Sequence, residues 1–261
     1  MGGVSHGSLE LTGLAGDRDS RLHRLDPRAK LVGLLLVTLV AVSATPDRWP
    51  VYAACAAVLV AFAAAARVPA RELWRRARIV LPLVLLAAVF VPFLRRGGET
   101  YAVGPLTVHE AGLLTLAGVA AKAGIGTLSA VLLGATTSFP AVLRGLEALR
   151  VPRLFVLVAA FMYRYLFVIV EEVSRMRAAL AARGYRPRHA LHAQPLGRMA
   201  TALFLRTYAR GERVYLAMLA RGYRGSVPEL SPLVFGRADA AFVALVAVAL
   251  LPLRALAEVA L

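Results

Sequence analysis

Apolar runs almost free of charge recur along this chain, at residues 27–45, 51–66, 79–94, 111–135 and 240–256. A segment of about 20 mostly apolar residues is what a helix needs to cross a hydrocarbon core roughly 30 Å thick. Inside lipid, backbone N–H and C=O groups find no water, so such runs must pair their own backbone as helices. Hydrophobic residues make up 59% of the 261, and the mean hydropathy is positive. The expected fold class is therefore an all-α integral membrane protein, with about five transmembrane helices plus amphipathic helices on the cytoplasmic side.

Charge sets the orientation. The net charge is +16 and comes almost wholly from arginine, Lys30 and Lys122 being the only lysines. In a soluble chain that balance would suggest nucleic acid, but these arginines flank apolar runs, where they orient a membrane protein and meet anionic lipid heads. Zinc-ligand spacing and RNA-binding aromatic motifs are absent, so no nucleic-acid partner is expected. The short segment 67–78 carries five arginines against Glu72 and is assigned to the cytoplasm, which places the N-terminus there too. The organisation that follows is a cytoplasmic N-terminal tail (1–28), a four-span membrane region (29–135), a cytoplasmic or interfacial helical block (136–238) and a final span (239–261). Glu10, Asp17, Asp19 and Asp26 precede the first apolar run, which does not fit a cleavable signal peptide.

Local signals refine this plan. Asp26-Pro27 is a strong helix start, with a carboxylate to cap free N–H groups and a proline suited to the first turn. Residues 46–50, Pro-Asp-Arg-Trp-Pro, form a tight turn, and 95–110 reads as an external loop. Cys55 lies in an Ala/Val-rich run as a small core residue. The fourth span is rich in Gly, Ala, Ser and Thr, which permit close helix packing where lipid gives no hydrophobic drive. Lys122 sits in its middle. It is either a functional intramembrane charge or a side chain reaching a carbonyl or water pocket between helices.

The block from Thr136 to Arg237 holds sixteen arginines, no lysine and five acidic residues. Helices are expected at 138–149, 152–182 and 196–220. Residues 154–170 are apolar enough to enter the bilayer, yet crossing there would carry Arg175, Arg177, Arg183, Arg186 and Arg188 outward; the helix is therefore placed along the cytoplasmic face. Within the block one phrase occurs twice: Ala182-Arg183-Gly184-Tyr185-Arg186 and Ala220-Arg221-Gly222-Tyr223-Arg224. Each copy closes a helical pattern with glycine at the position where a left-handed residue stops a helix. Two meanings are open and compatible: basic helix ends complementing the dipole, or matched prongs offering fixed arginines to a partner present in two copies.

Several chemistries are missing. Neither lysine stands in a phosphate-cradling G-x-x-x-x-G-K-[ST] loop, so the chain does not power transport by that means. The nucleophile elbow and the H-E-x-x-H helix are also absent. His189 and His192 share a helical spacing but lack a third ligand, so no metal site and no cofactor are expected. Glu171 and Glu172 precede Arg175 at ion-pair spacing. No buried acidic residue of the kind a proton-coupled transporter needs is expected in the spans.

Four stretches carry a resemblance: residues 22–31 (Leu-His-Arg-Leu-Asp-Pro-Arg-Ala-Lys-Leu), 136–140 (Thr-Thr-Ser-Phe-Pro), 162–167 (Met-Tyr-Arg-Tyr-Leu-Phe) and the paired Ala-Arg-Gly signatures. Through them the chain resembles the transmembrane T component of energy-coupling factor (ECF) transporters, of the CbiQ-type cobalt branch. The resemblance implies a non-catalytic subunit between two ATP-binding cassette ATPase subunits and a small substrate-binding membrane subunit, in the lipid bilayer of the cell membrane. It implies that Ala182, Arg183, Gly184, Ala220, Arg221 and Gly222 dock the ATPases, whose motion the coupling helices pass on. It also implies an ATP-driven cobalt importer feeding cobalamin biosynthesis. A nickel or vitamin importer of the same class, an autonomous secondary transporter using Lys122 and an integral membrane enzyme are the alternatives.

Overall fold

The computed structural model describes residues 22, 25–78, 82, 100–103, 106–185, 194–225 and 233–259. The expected third span (79–94), apart from residue 82, and His189 and His192 lie outside the described residues. The chain divides into two compact units, Met1–Leu149 with Leu233–Leu261, and Arg150–Pro232.

The first unit is built around α1 (Pro27–Ser43). Its start is as the sequence suggests: Asp26 is the N-cap, its Oδ1 accepts the Arg28 N–H at 2.8 Å, and Pro27 opens the first turn. A tight turn closed by the Arg48 N–H on the Thr45 carbonyl leads to α2 (Trp49–Ala65). Next comes the short basic α3 (Ala70–Ala77). The expected loop 95–110 contains a small departure from an all-helical chain. Strands β1 (Thr100–Val103) and β2 (Leu106–His109) pair antiparallel, Thr100 opposite His109 and Val103 opposite Leu106. Threonine, tyrosine and valine suit a pleated strand, a local preference that a search for apolar runs overlooks. Helix α4 (Glu110–Thr136), α5 (Phe139–Ala148) and α8 (Arg237–Val259) complete the unit.

The core joins Val37, Ala41, Tyr52, Cys55, Leu59, Leu132 and Leu250, from α1, α2, α4 and α8. Cys55 is buried there, its thiol 3.9 Å from the Val37 carbonyl. Glycines permit close approach at two specific crossings. A Cβ on Gly33 would lie 2.6 Å from Phe242 of α8, and one on Gly118 of α4 would lie 3.1 Å from Pro46. Phe242 also meets Phe62 of α2, ring centres 5.5 Å apart. These approaches order the helices: α8 runs parallel to α1, while α2 and α4 run antiparallel to it. The chain thus leaves this unit after α5 and re-enters at α8 at the same end, beside Asp26.

The second unit contains α6 (Arg153–Ala182) and α7 (Gln194–Ala220). Their bounds match the expected helices within two residues. By length and composition α6 is one of three described helices able to cross a membrane, the others being Leu114–Thr136 and Arg237–Ala255. Leu154, Phe155, Met162, Phe204, Leu205 and Tyr208 all stand exposed on α6 and α7.

Gly33→Ala is expected to destabilise the protein by about 1–3 kcal/mol, because a methyl must displace the Phe242 ring from a packed crossing. Thermal unfolding in detergent should show a lower Tm; an unchanged Tm would mean that α1 and α8 do not approach this closely.

Candidate coupling site

The two Ala-Arg-Gly copies end α6 and α7 in the same hydrogen-bonded form. In the first, the Gly184 N–H donates to the Ala181 carbonyl at 3.0 Å and the Tyr185 N–H to the Leu180 carbonyl at 3.1 Å. In the second, the Gly222 N–H donates to Leu219 at 2.9 Å and the Tyr223 N–H to Met218 at 3.0 Å. This pair of bonds, one reaching from C″ to C3 and one from C′ to C2, is a Schellman motif. It consumes carbonyls that a helix otherwise leaves open. Gly184 and Gly222 take φ of +77° and +82°, the left-handed region that favours glycine.

Space alone does not demand glycine here. A Cβ at either position meets nothing within 4 Å. A comparable helix end elsewhere in the chain accepts a full side chain: Arg67, at φ 53°, follows α2, with the Val68 N–H donating to Ala63. Gly184 and Gly222 therefore leave the ends of α6 and α7 bare. Arg183 and Arg221 stand exposed beside them, and among the described residues neither guanidinium has a partner. Each tip offers a flat donor fork next to an uncovered backbone, which suits a cleft lined with carboxylates or carbonyls. Ala182 and Ala220 close the last helical turns and are exposed too.

Upstream of the first tip, Arg175 bonds Glu171 and Glu172 at 2.6 Å each, the expected ion pairs. Arg206 of α7 also bonds Glu172, a link between α6 and α7 that sequence spacing did not reveal. A cavity of about 670 Å³ lies along these two helices, lined by Phe161, Tyr165, Ile169, Glu172, Arg206 and Arg210 among others. Lys122 takes the carbonyl option: its Nζ donates to the Val42 carbonyl at 2.9 Å, on the last turn of α1. Among the described residues no cluster of His, Cys, Asp and Glu is arranged to hold a metal ion.

One constellation escaped the sequence reading. Asp26 and Asp239 are both buried, at 6% exposure, at the heads of α1 and α8, just outside the apolar runs. Asp239 Oδ2 accepts the Gly236 N–H at 2.8 Å, capping its own helix, while Oδ1 accepts the Asp26 N–H at 2.7 Å. Lys30, 1% exposed, donates to the Thr136 carbonyl at 3.0 Å and is attracted by both carboxylates. The only signals in the sequence were an acid in the first turn of a late helix and a lysine four residues after Asp26. Their meeting spans most of the chain.

A family model described as CbiQ, cobalt transport protein, matches residues 18–232. The chain is 30% identical to an energy-coupling factor transporter transmembrane protein EcfT of Brevibacillus brevis, over 80% of this chain and 82% of that protein. It is 27% identical to a putative fused cobalt transport protein CbiMQ of Methanocorpusculum labreanum, over 58% of this chain and 27% of that one. A putative ABC transporter ATP-binding protein of Bifidobacterium longum is 30% identical over 81% of this chain and 28% of its own length.

Gly184→Ala and Gly222→Ala place a side chain in left-handed backbone at about 1–2 kcal/mol each. Native-state hydrogen exchange should show the Tyr185 and Tyr223 amides exchanging roughly ten times faster in the respective variants. Unchanged rates would mean that the tips relax without strain.

Proposed function

The chain belongs to the CbiQ family of cobalt transport proteins, and from that premise we propose that it is the coupling subunit of an ATP-driven ECF importer for cobalt ions. The single observation carrying the coupling role is the pair of matching helix ends, each with a bare left-handed glycine and an exposed arginine that has no partner among the described residues. Two ATPase subunits would each receive one tip, Ala182-Arg183-Gly184 in one and Ala220-Arg221-Gly222 in the other. The relative named as an ABC transporter ATP-binding protein carries a region similar to this chain, which supports an ATPase partnership. ATP hydrolysis belongs to those partners, since this sequence has no nucleotide loop.

In this reading the N-terminus and the 136–238 block face the cytoplasm, and α6 and α7 lie against the inner face of the bilayer as coupling helices. Their exposed leucines and aromatics are then covered by lipid and by a small substrate-binding membrane subunit. Cobalt is supported by the description of the family and by the fused cobalt transport relative. An autonomous secondary transporter built on Lys122 is disfavoured, because that ammonium serves a helix-end carbonyl.

Reversing both tip charges, Arg183→Glu with Arg221→Glu, is expected to strip the ATPase subunits from the purified complex and lower ATP-driven uptake more than tenfold. Each single variant should do less. Retention of the ATPases with full uptake in the double variant would refute docking at the tips. In vesicles holding the complete complex, radiolabelled cobalt should accumulate only with ATP and in preference to nickel; preference for nickel, or for neither ion, would overturn the substrate.

A further inference from the structure

We propose that Lys30 is a positioning residue that ties to α1 the roots of the two elements flanking the Arg150–Pro232 unit, the start of α5 and the head of α8, so that movement at the tips reaches the membrane helices as one displacement. The inference rests on the coupling role above. That unit joins the rest of the chain at two places only, after α5 and before α8. Helix α5, which leads out to that unit, is opened by Ser138 two residues after Thr136 at the end of α4; the returning chain passes through Gly236 and Asp239 at the head of α8. Lys30 bonds the Thr136 carbonyl, at the root of α5, and attracts Asp239 at the head of α8.

The arrangement transmits because it is dry and doubly tied. Lys30 is shielded from water, so its bond to Thr136 and its attraction to Asp239 are not screened as surface pairs are. Asp239 is committed at both oxygens, to the head of its own helix and to the Asp26 N–H of α1. Helix α5 is pressed on the same end of α1: a Cβ on Gly145 would lie 2.9 Å from Leu31 and 3.3 Å from Pro27. Neither connection can shift without carrying the first turn of α1. The far end of α1 is held as well, by Lys122 at Val42 and by Arg254 at Ser43, so α4 and α8 follow.

The test compares the number of ATP molecules hydrolysed per radiolabelled cobalt ion taken up, in proteoliposomes of the complete complex. Lys30→Met keeps length and loses the charge; the ratio is expected to rise at least tenfold, with hydrolysis persisting while uptake falls. Asp239→Asn should raise it about threefold, Lys30→Arg should restore most of the coupling, and Gly124→Ala, at a position of α4 where an added Cβ meets nothing within 4 Å, should leave the ratio at the wild-type value. If Lys30→Met does not assemble, Asp239→Asn decides alone. A wild-type ratio in the assembled variants, with hydrolysis and uptake falling together, overturns the positioning role. Absence of ATP-driven uptake in the wild-type complex would instead sink the importer reading itself.

Discussion

A helix immersed in lipid closes its own backbone except at its ends, where several N–H and C=O groups stay open with no water to take them. In this protein α1 solves both ends with side chains from other helices. At its head, Asp26 caps the Arg28 N–H and Asp239 of α8 takes the Asp26 N–H. At its tail, Lys122 of α4 serves Val42, Arg254 of α8 serves Ser43, and the Tyr52 hydroxyl of α2 reaches Ala44 and Thr45. Those bonds fix which helices surround α1 and in which direction each runs. The apolar contacts between them add area, but apolar contact alone does not choose direction.

The cationic groups among these carry a cost as well as a benefit. Burying an ammonium without partners is strongly unfavourable, and removing one side of a buried charge cluster costs about 3–5 kcal/mol. Lys30 is accommodated because it bonds a helix-end carbonyl at the negative pole of α4 and is attracted by two carboxylates. The second unit lives by other rules. Its ion pairs among Glu171, Glu172, Arg175 and Arg206 are exposed and add little stability, and its helices bury almost nothing of their own. A pair of helices so sparsely packed depends on its surroundings.

Much of this was legible beforehand because it is local. The Asp-Pro helix start, the turn before Trp49, the bounds of α6 and α7, and the glycine helix ends all depend on residues within a turn of one another. The pairing of Arg175 with Glu171 and Glu172 follows from helical spacing for the same reason. The short hairpin was missed because eight strand residues inside a region already assigned as a loop give a weak signal. The bond from Lys122 to the Val42 carbonyl depends on α1 lying beside α4, which no local spacing reveals.

The sequence by itself determined that the chain is a helical membrane protein, that it carries two matching basic helix ends, and which family its motifs resemble. Periodicity, composition and short motifs are properties of neighbouring residues, so they survive without coordinates. Tertiary structure alone decided that Asp26, Lys30, Thr136 and Asp239 share one dry site, at the heads of α1 and α8 and the root of α5. Buried polar groups find partners wherever folding brings a complementary atom, and sequence separation places no limit on that choice.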